Sequence, residues 1–260
     1  MEGKYPIQKG FLDDHEITPQ MRAILVDWLV EIHFHFNMHQ ETLHLCVSIV
    51  DRYLQETKVM ERDVFQLVGA SALLVAAKYE RTYIPRVYEF KFLCASLYSS
   101  AQILHMEKDI LKKLDFRLGY PLSIHYLRSC GKIAGMQSIH HVLAEYLLEL
   151  ALMKYGMSHV KPSLQASAAC CLSMGILDDV MNLSNLWTST LIYYTGYDYA
   201  ELEDAIVGFA NILVEDHSPS LQSVRKKYAG SNCANISLNP LLKGTLVKKL
   251  ANRTSNSWLW

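Results

Sequence analysis

The sequence predicts an all-α protein made of two helical bundles in tandem. Apolar residues recur at helical spacing along nearly the whole chain, and neither an alternating strand pattern nor an Asn-Gly hairpin turn occurs. Residues 67–78 and 164–175 both contain Ala-Ser-Ala and are dense in small residues, which let neighbouring helices approach closely. The two Ala-Ser-Ala motifs, which start at Ala70 and Ala166, are 96 residues apart, and this repeat predicts one central helix in each bundle, with the boundary at Tyr120 and Pro121 between them.

Each helix is predicted from apolar spacing that is interrupted by polar or proline-containing turns. The first begins at Thr18-Pro19, because Thr can cap a helix and Pro suits its first turn. The rest of the first series is Glu41–Gln55, Arg62–Lys78, Val87–Leu93 and Ser100–Leu114. The second series is Leu122–Ala134, His140–Tyr155, Lys161–Leu177, Asn185–Tyr193 and Ala200–Asp216.

The first helix carries two apolar stripes, whereas a surface helix needs only one. One stripe is Met21, Ile24, Leu25, Trp28 and Ile32, and the opposite one is Ala23, Val26 and Val30 with Leu29 to one side. Arg22 fills one seam between the stripes, and Asp27 and Glu31 fill the other. From this pattern alone, the helix is predicted to be buried all round.

Composition excludes several classes of protein. The 260 residues carry a net charge of −1, which argues against the basic face that nucleic-acid binding requires. No apolar run approaches the roughly 20 residues of a membrane span, and no signal peptide is evident. The six cysteines lie in apolar helical runs without a CxxC pair, which predicts buried reduced thiols in the cytoplasm or nucleus.

No catalytic constellation is recognisable. Phosphate-binding glycine loops and GxSxG are missing, so no cofactor is predicted. An all-helical metalloenzyme is the alternative that the histidines suggest, because His35 and His39 have i, i+4 spacing. However, FHFNMHQ looks like a helix end and a turn and has no Cys or HExxH partner, so solvated histidines and no metal are predicted.

Charged residues inside apolar runs are the remaining candidates, because burying a lone charge is expensive. They are Arg22, Asp51, Arg52, Lys78 and Glu107. Lys78 and Glu107 could pair across two helices, either as a core salt bridge or at a surface that bonds another chain. The charge pattern leaves both interpretations open.

Five stretches carry a family resemblance: MRAILVDWLVEIHFHFNMHQETLHLCVSIVDRYL (21–54), FQLVGASALLVAAKYE (65–80), LHMEKDILKKLDFRLGYPLSIHYLR (104–128), YYTGY (193–197) and VRKKYAGSNCANISLNPLL (224–242). They resemble the mitotic cyclins, and the KYE, LGYPLSIHYLR and KYA forms favour the B type over the A type. The resemblance implies two tandem five-helix cyclin folds at 17–118 and 121–217, after a lead-in at 1–16 and before a short C-terminal tail at 218–260.

The resemblance also implies a function. Cyclins of this kind are non-catalytic subunits that activate a mitotic cyclin-dependent serine/threonine kinase and control entry into mitosis, in the cytoplasm and nucleus. The cyclin repositions a kinase helix so that the kinase's own Lys–Glu pair can form. The kinase contacts of the family fall on Lys78, Tyr79, Glu107, Leu111, Phe116 and Leu118, and its structural pair falls on Arg22 and Asp51.

The first stripe then acquires a role. In this family a docking patch receives Arg-x-Leu-like motifs of substrates and inhibitors, and it falls on Met21, Ile24, Leu25, Trp28, Glu31 and Gln66. Glu31 would meet the cation of the motif, while the opposite stripe faces the bundle. An apolar patch with a polar rim suits peptide recognition.

Some family features are expected to be missing. Only KYPIQKGFLDD precedes the box, so we expect neither the preceding kinase-contacting helix nor the upstream degradation signal, as in a fragment or an unusual isoform. Arg128 and His141 match a phosphate pocket of B-type members, but Glu145 replaces a Lys and should repel phosphate. A DNA-binding tandem cyclin fold is the second interpretation, and the net charge argues against it.

Overall fold

The computed structural model describes residues 2–80, 86–89, 94, 97–215 and 221–253. Within these ranges the chain is helical and contains no strand, which confirms the all-α prediction. It divides into two compact units, Met1–Tyr120 and Pro121–Trp260. None of the described helices is both long enough and apolar enough to span a bilayer.

In its described residues the first unit contains four long helices, and the third has the longest unbroken run of buried residues. They are α1 (Pro19–His35), α2 (Gln40–Gln55), α3 (Arg62–Glu80) and α4 (Ser100–Lys113). The Thr18 hydroxyl accepts a hydrogen bond from the Met21 amide and caps α1, as predicted. Of the helix predicted at 87–93, residues 87–89 are helical and 90–93 lie outside the described residues.

The second unit repeats the arrangement with α5 (Ser123–Ala134), α6 (Ser138–Leu152), α7 (Pro162–Leu177), α8 (Ser189–Thr195) and α9 (Tyr199–Val214). The predicted bounds of α6 and α8 were wrong. Residues 155–157 and 183–185 form separate 3-10 turns. The Thr188 hydroxyl accepts from the Leu191 amide and caps α8, and at the start of α6 the Gln137 amide donates to His140 Nδ1.

The two Ala-Ser-Ala segments lie in α3 and α7 and carry the longest unbroken runs of buried residues in the described chain. Every residue from Leu67 to Ala77 and from Ala166 to Ile176 is buried. Small side chains allow this close approach. Leu25 of α1 lies directly over Gly69, where an added Cβ would be only 2.7 Å from the Leu25 Cδ1 atom.

The lead-in and the C-terminal segment are both folded. Phe11 and Leu12 are buried, and the Tyr5 ring stacks on the Arg52 guanidinium, 5.0 Å from its centre. The C-terminal segment forms α10 (Ser223–Tyr228), three 3-10 turns and α11 (Thr245–Ala251), and contributes buried side chains to the second unit. All six cysteines are free thiols; five are buried as predicted, and Cys233 is half-buried.

A buried ion pair joins α1 to α2. The Arg22 guanidinium donates through Nε to Asp51 Oδ1 at 2.7 Å and through Nη2 to Oδ2 at 2.6 Å. The two side chains are only 1% and 6% exposed. This two-point geometry is the strong form of a charge-assisted hydrogen bond. It fixes the angle at which α1 presents its outer face.

Candidate functional site

The ends of α3 and α4 bring Lys78 and Glu107 together at the surface of the first unit. Lys78 Nζ donates to Glu107 Oε1 at 2.6 Å. The lysine side chain is 41% exposed, whereas the glutamate side chain is 12% exposed. The pair is therefore at a surface rather than in the core, and an ammonium carries three donors, so the partly exposed Lys78 can also donate to another chain.

The four predicted apolar contacts of the kinase differ in how exposed their side chains are. Tyr79 follows Lys78 and is exposed, and Leu111 lies one helical turn after Glu107 and is half-buried. After α4 the backbone of Asp115 and Phe116 takes positive φ angles of 50° and 55°. This turn leaves the Phe116 ring largely exposed, whereas Leu118 is 8% exposed and belongs to the core. Leu118 is thus the least accessible of the six predicted kinase contacts.

The predicted docking patch lies on α1 and the first turns of α3. Ile24 and Glu31 are exposed, and Met21, Trp28 and Gln66 are half-buried. Leu25 differs from the prediction, because it is only 5% exposed and packs over Gly69. The opposite stripe is buried, so α1 has one face in the bundle and one partly open apolar face. The prediction from the pattern alone, burial all round, was wrong.

Gly69 belongs to the patch, although sequence reasoning did not single it out. Its missing side chain lets Leu25 sink toward α3 and so forms the floor between α1 and α3. A glycine inside an otherwise apolar helical run was the available signal, since it marks either a packing requirement or a close approach.

The other candidates are two histidines of the first unit and three residues of the second unit. His35 is the last residue of α1 and His39 precedes α2, so the helix end and turn predicted there are confirmed. In the second unit the His141 ring fills the space beside Gly131, where an added Cβ would be 2.3 Å from His141 Cε1. Burial and the neighbouring His140 lower the pKa of His141, which favours the neutral ring.

Arg128 is exposed and Glu145 is half-buried. Glu145 contributes negative charge to this region, since its carboxylate helps to raise the pKa of the nearby Tyr228, after burial and Glu149. A neutral His141 and an anionic Glu145 together are unfavourable for phosphate.

Comparison with known proteins gives a consistent result. The profile of the cyclin N-terminal domain matches residues 1–119, and that of the cyclin C-terminal domain matches residues 121–241. The G2/mitotic-specific cyclin-B of Spisula solidissima is 43% identical over 96% of this chain and 57% of its own length. The G2/mitotic-specific cyclin-B2 of Oryzias luzonensis is 40% identical over 98% of this chain and 65% of its own.

A viral cyclin from herpesvirus saimiri has a similar structure, with a TM-score of 0.65 at 19% identity, over 80% of this chain and 94% of that chain. This likeness shows the fold. The chain spans about three fifths of the length of the curated relatives that it matches. Two adjoining cyclin domains together match almost all of its residues, and the chain therefore belongs to the cyclin family, where it is similar to the G2/mitotic-specific B type.

Proposed function

We propose that this chain is a non-catalytic subunit that binds and activates a mitotic cyclin-dependent serine/threonine kinase in the cytoplasm and nucleus. The observation that carries the proposal is the Lys78–Glu107 pair, which lies 2.6 Å apart at the surface of the first unit. Cyclin membership and the mitotic B-type relatives support the same partner class.

The pair suits a helix of the kinase. A lysine that is 41% exposed gains little stability from a single surface carboxylate, since such pairs contribute roughly 0–1 kcal/mol. The value of the arrangement is that it holds an ammonium and a carboxylate in one place, ready to bond the backbone and side chains of a partner. Exposed Tyr79 and Phe116 provide apolar contact area on either side.

Activation then follows from positioning. A kinase helix held against α3 and α4 places its glutamate where the kinase's Lys–Glu pair can form, which is one requirement of phosphoryl transfer. The cyclin contributes binding energy only to the active arrangement of the kinase, and so it shifts the kinase population toward that arrangement.

We further propose that the docking patch recruits substrates and inhibitors with Arg-x-Leu-like motifs. Exposed Ile24 and half-buried Trp28 offer the apolar surface, and exposed Glu31 stands one turn beyond to attract the arginine. Leu25 over Gly69 forms a shallow floor on which the leucine of the motif can pack.

Glu107→Lys tests kinase binding. We expect affinity for a monomeric mitotic kinase to fall about 100-fold, because two like charges then face the kinase helix, while the melting temperature changes little. The matched control is Glu203→Lys, which reverses a carboxylate in the second unit that pairs with Arg253 at 3.5 Å. Co-elution and histone phosphorylation measure the outcome. Equal losses in both variants, or no activation by the unmodified chain, would contradict the proposal.

Glu31→Lys tests recruitment. Binding of an Arg-x-Leu peptide should weaken about tenfold, since an exposed attraction becomes a repulsion. Kinase activation toward a substrate without the motif should not change. Fluorescence anisotropy of a labelled peptide measures the affinity, with Glu203→Lys again as the control. Unchanged peptide binding in Glu31→Lys would exclude this patch as the docking surface.

A further inference from the structure

The second unit contains a cavity whose described lining includes two cationic side chains and no acidic one. Its volume is about 260 Å³. It is lined by Leu213, Arg225, Ser237, Leu238, Asn239, Pro240, Leu242 and Lys243. Two of these residues are cationic and none is acidic. The lining shares no residue with Arg128, His141 or Glu145.

Arg225 has an unused hydrogen-bonding edge. Its Nε and Nη2 atoms are buried, and neither has a hydrogen-bond partner within the described part of the chain. These are the same two guanidinium atoms through which Arg22 donates hydrogen bonds to Asp51. In the first unit, Nε and Nη2 of the buried Arg22 are therefore bonded to a carboxylate. In the described part of the second unit, the same two atoms of Arg225 have no hydrogen-bond acceptor. An unpaired polar edge of this kind is costly.

Two further buried groups of the second unit, Glu149 and Tyr146, have polar atoms without a hydrogen-bond partner among the described residues. The Glu149 carboxylate accepts through Oε1 from Lys227 at 2.6 Å and from the Tyr228 hydroxyl at 2.9 Å, whereas its buried Oε2 atom has no hydrogen-bond partner among the described residues. The Tyr146 hydroxyl is buried and has no hydrogen-bond partner among the described residues. Burial raises the pKa of Tyr146, and the positive charge of Arg225 opposes this rise.

Asn239, Ser237 and Lys243 are the other polar residues of the described lining. Asn239 uses its Oδ1 atom to accept from the Leu241 amide at 2.9 Å, which leaves its amide nitrogen as a donor. The Ser237 hydroxyl donates to the Arg225 carbonyl at 2.8 Å and so fixes the wall of the cavity to α10. Exposed Lys243 adds a second positive charge.

We propose that this cavity binds a phosphate group, as the free ion or as a phosphate monoester, through Arg225 and Lys243. Two cations match the charge of a phosphate dianion, and an Nε–Nη2 edge matches two of its oxygens. Because Nε and Nη2 of Arg225 are buried, a side chain must change its rotamer before phosphate can reach them, and rotamer changes of this kind are common on binding. This inference does not depend on kinase activation, because every lining residue lies in the second unit.

Calorimetric titration of the full chain with inorganic phosphate and with phosphoserine, at constant ionic strength in chloride, tests the proposal. Arg225→Gln should abolish binding and Lys243→Gln should weaken it about tenfold, whereas the control Lys249→Gln should bind normally. Tighter binding of phosphoserine indicates a phosphorylated chain as the source, and tighter binding of inorganic phosphate indicates the free ion; both support the site. Equal weakening in all three variants, or no binding beyond that of chloride, overturns it.

A second measurement stays informative if Arg225→Gln folds poorly. Without phosphate, Arg225→Met should raise the melting temperature by about 2 °C or more, because it removes an unpaired polar edge. With phosphate, the unmodified chain should gain melting temperature and Arg225→Met should not. A fall in melting temperature together with an unchanged response to phosphate would show that Arg225 is structural.

Discussion

The two units share a core but differ at the ends of their central helices. In both units this helix carries Ala-Ser-Ala and is buried over most of its length. In the first unit, α3 ends in exposed Lys78, paired with Glu107. The residue 96 positions later, Met174, is apolar and buried. Asp178, which follows α7, instead accepts from the buried His140 ring at 3.0 Å.

The difference shows which features support the fold and which support binding. Small residues build both cores, so they carry no information about partners. The end of α7 is closed by contacts within its own unit, whereas the ends of α3 and α4 leave the Lys78 ammonium and the rings of Tyr79 and Phe116 exposed. This difference supports the proposed kinase surface on the first unit.

The largest expected effect is on the free energy of unfolding, and it differs between the buried ion pairs of the two units. Asp51→Ala should lower the free energy of unfolding by about 3–5 kcal/mol, because it leaves the Arg22 guanidinium buried without its carboxylate. Lys227→Met should cost about 1–3 kcal/mol, since Tyr228 continues to donate to Glu149.

Urea denaturation followed by circular dichroism measures both changes. Asp115→Asn, which breaks only an exposed pair with Arg117, is the control and should leave the midpoint unchanged. Equal losses for Asp51→Ala and Asp115→Asn would show that the Arg22–Asp51 pair does not stabilise the first unit.

An intermediate effect concerns the glycines of the central helices. A Cβ on Gly175 would lie 2.0 Å from Leu183 Cδ2, and one on Gly69 would lie 2.7 Å from Leu25 Cδ1. Gly175→Ala should therefore cost about 1–3 kcal/mol by overpacking. Gly69→Ala should be nearly neutral, because Leu25 can swing toward the open face of α1 and because Ala gains about 1 kcal/mol of helix propensity.

Gly69→Ala should nevertheless weaken binding of an Arg-x-Leu peptide several-fold, since it lifts the floor of the docking patch. Peptide anisotropy and thermal unfolding of the same samples separate the two effects. Gly175→Ala, measured in parallel, should bind the peptide normally, and a loss of peptide binding in both variants would point to general loosening.

The smallest effect compares two buried serines. Ser71 donates to the Ile103 carbonyl at 3.2 Å and so ties α3 to α4, whereas Ser173 donates to the Cys170 carbonyl within its own helix at 2.9 Å. Ser71→Ala should cost about 1 kcal/mol, and Ser173→Ala only a few tenths. Thermal unfolding measures both, and the reverse order would show that the inter-helix bond adds nothing.

Much of the fold was predictable because helix formation depends on local pattern. Thr18 and Pro19 located the start of α1, and the small-residue runs identified α3 and α7. Bounds in the second unit were wrong where short 3-10 turns, such as Leu183–Asn185, interrupt an apolar run. Apolar spacing does not distinguish a 3-10 turn from the first turn of a helix.

The sequence singled out the residues of the candidate site, but it did not predict how exposed their side chains are. The cost of burying charge singled out Lys78 and Glu107 without indicating whether the pair faces the core. Leu25 and Leu118 matched family positions, yet both are almost buried. Arg225 lies in the basic run VRKKY, which is typical of a solvated face, and only the folded chain shows that part of its guanidinium is buried.

The sequence by itself determined where helices form, which residues are charged inside them, and that the chain resembles mitotic cyclins. Tertiary structure alone decided that the Arg22–Asp51 pair is sealed while the Lys78–Glu107 pair reaches the surface. The physical reason is that helix formation depends on neighbours a few positions away, whereas exposure depends on segments far along the chain that pack over a residue or leave it open.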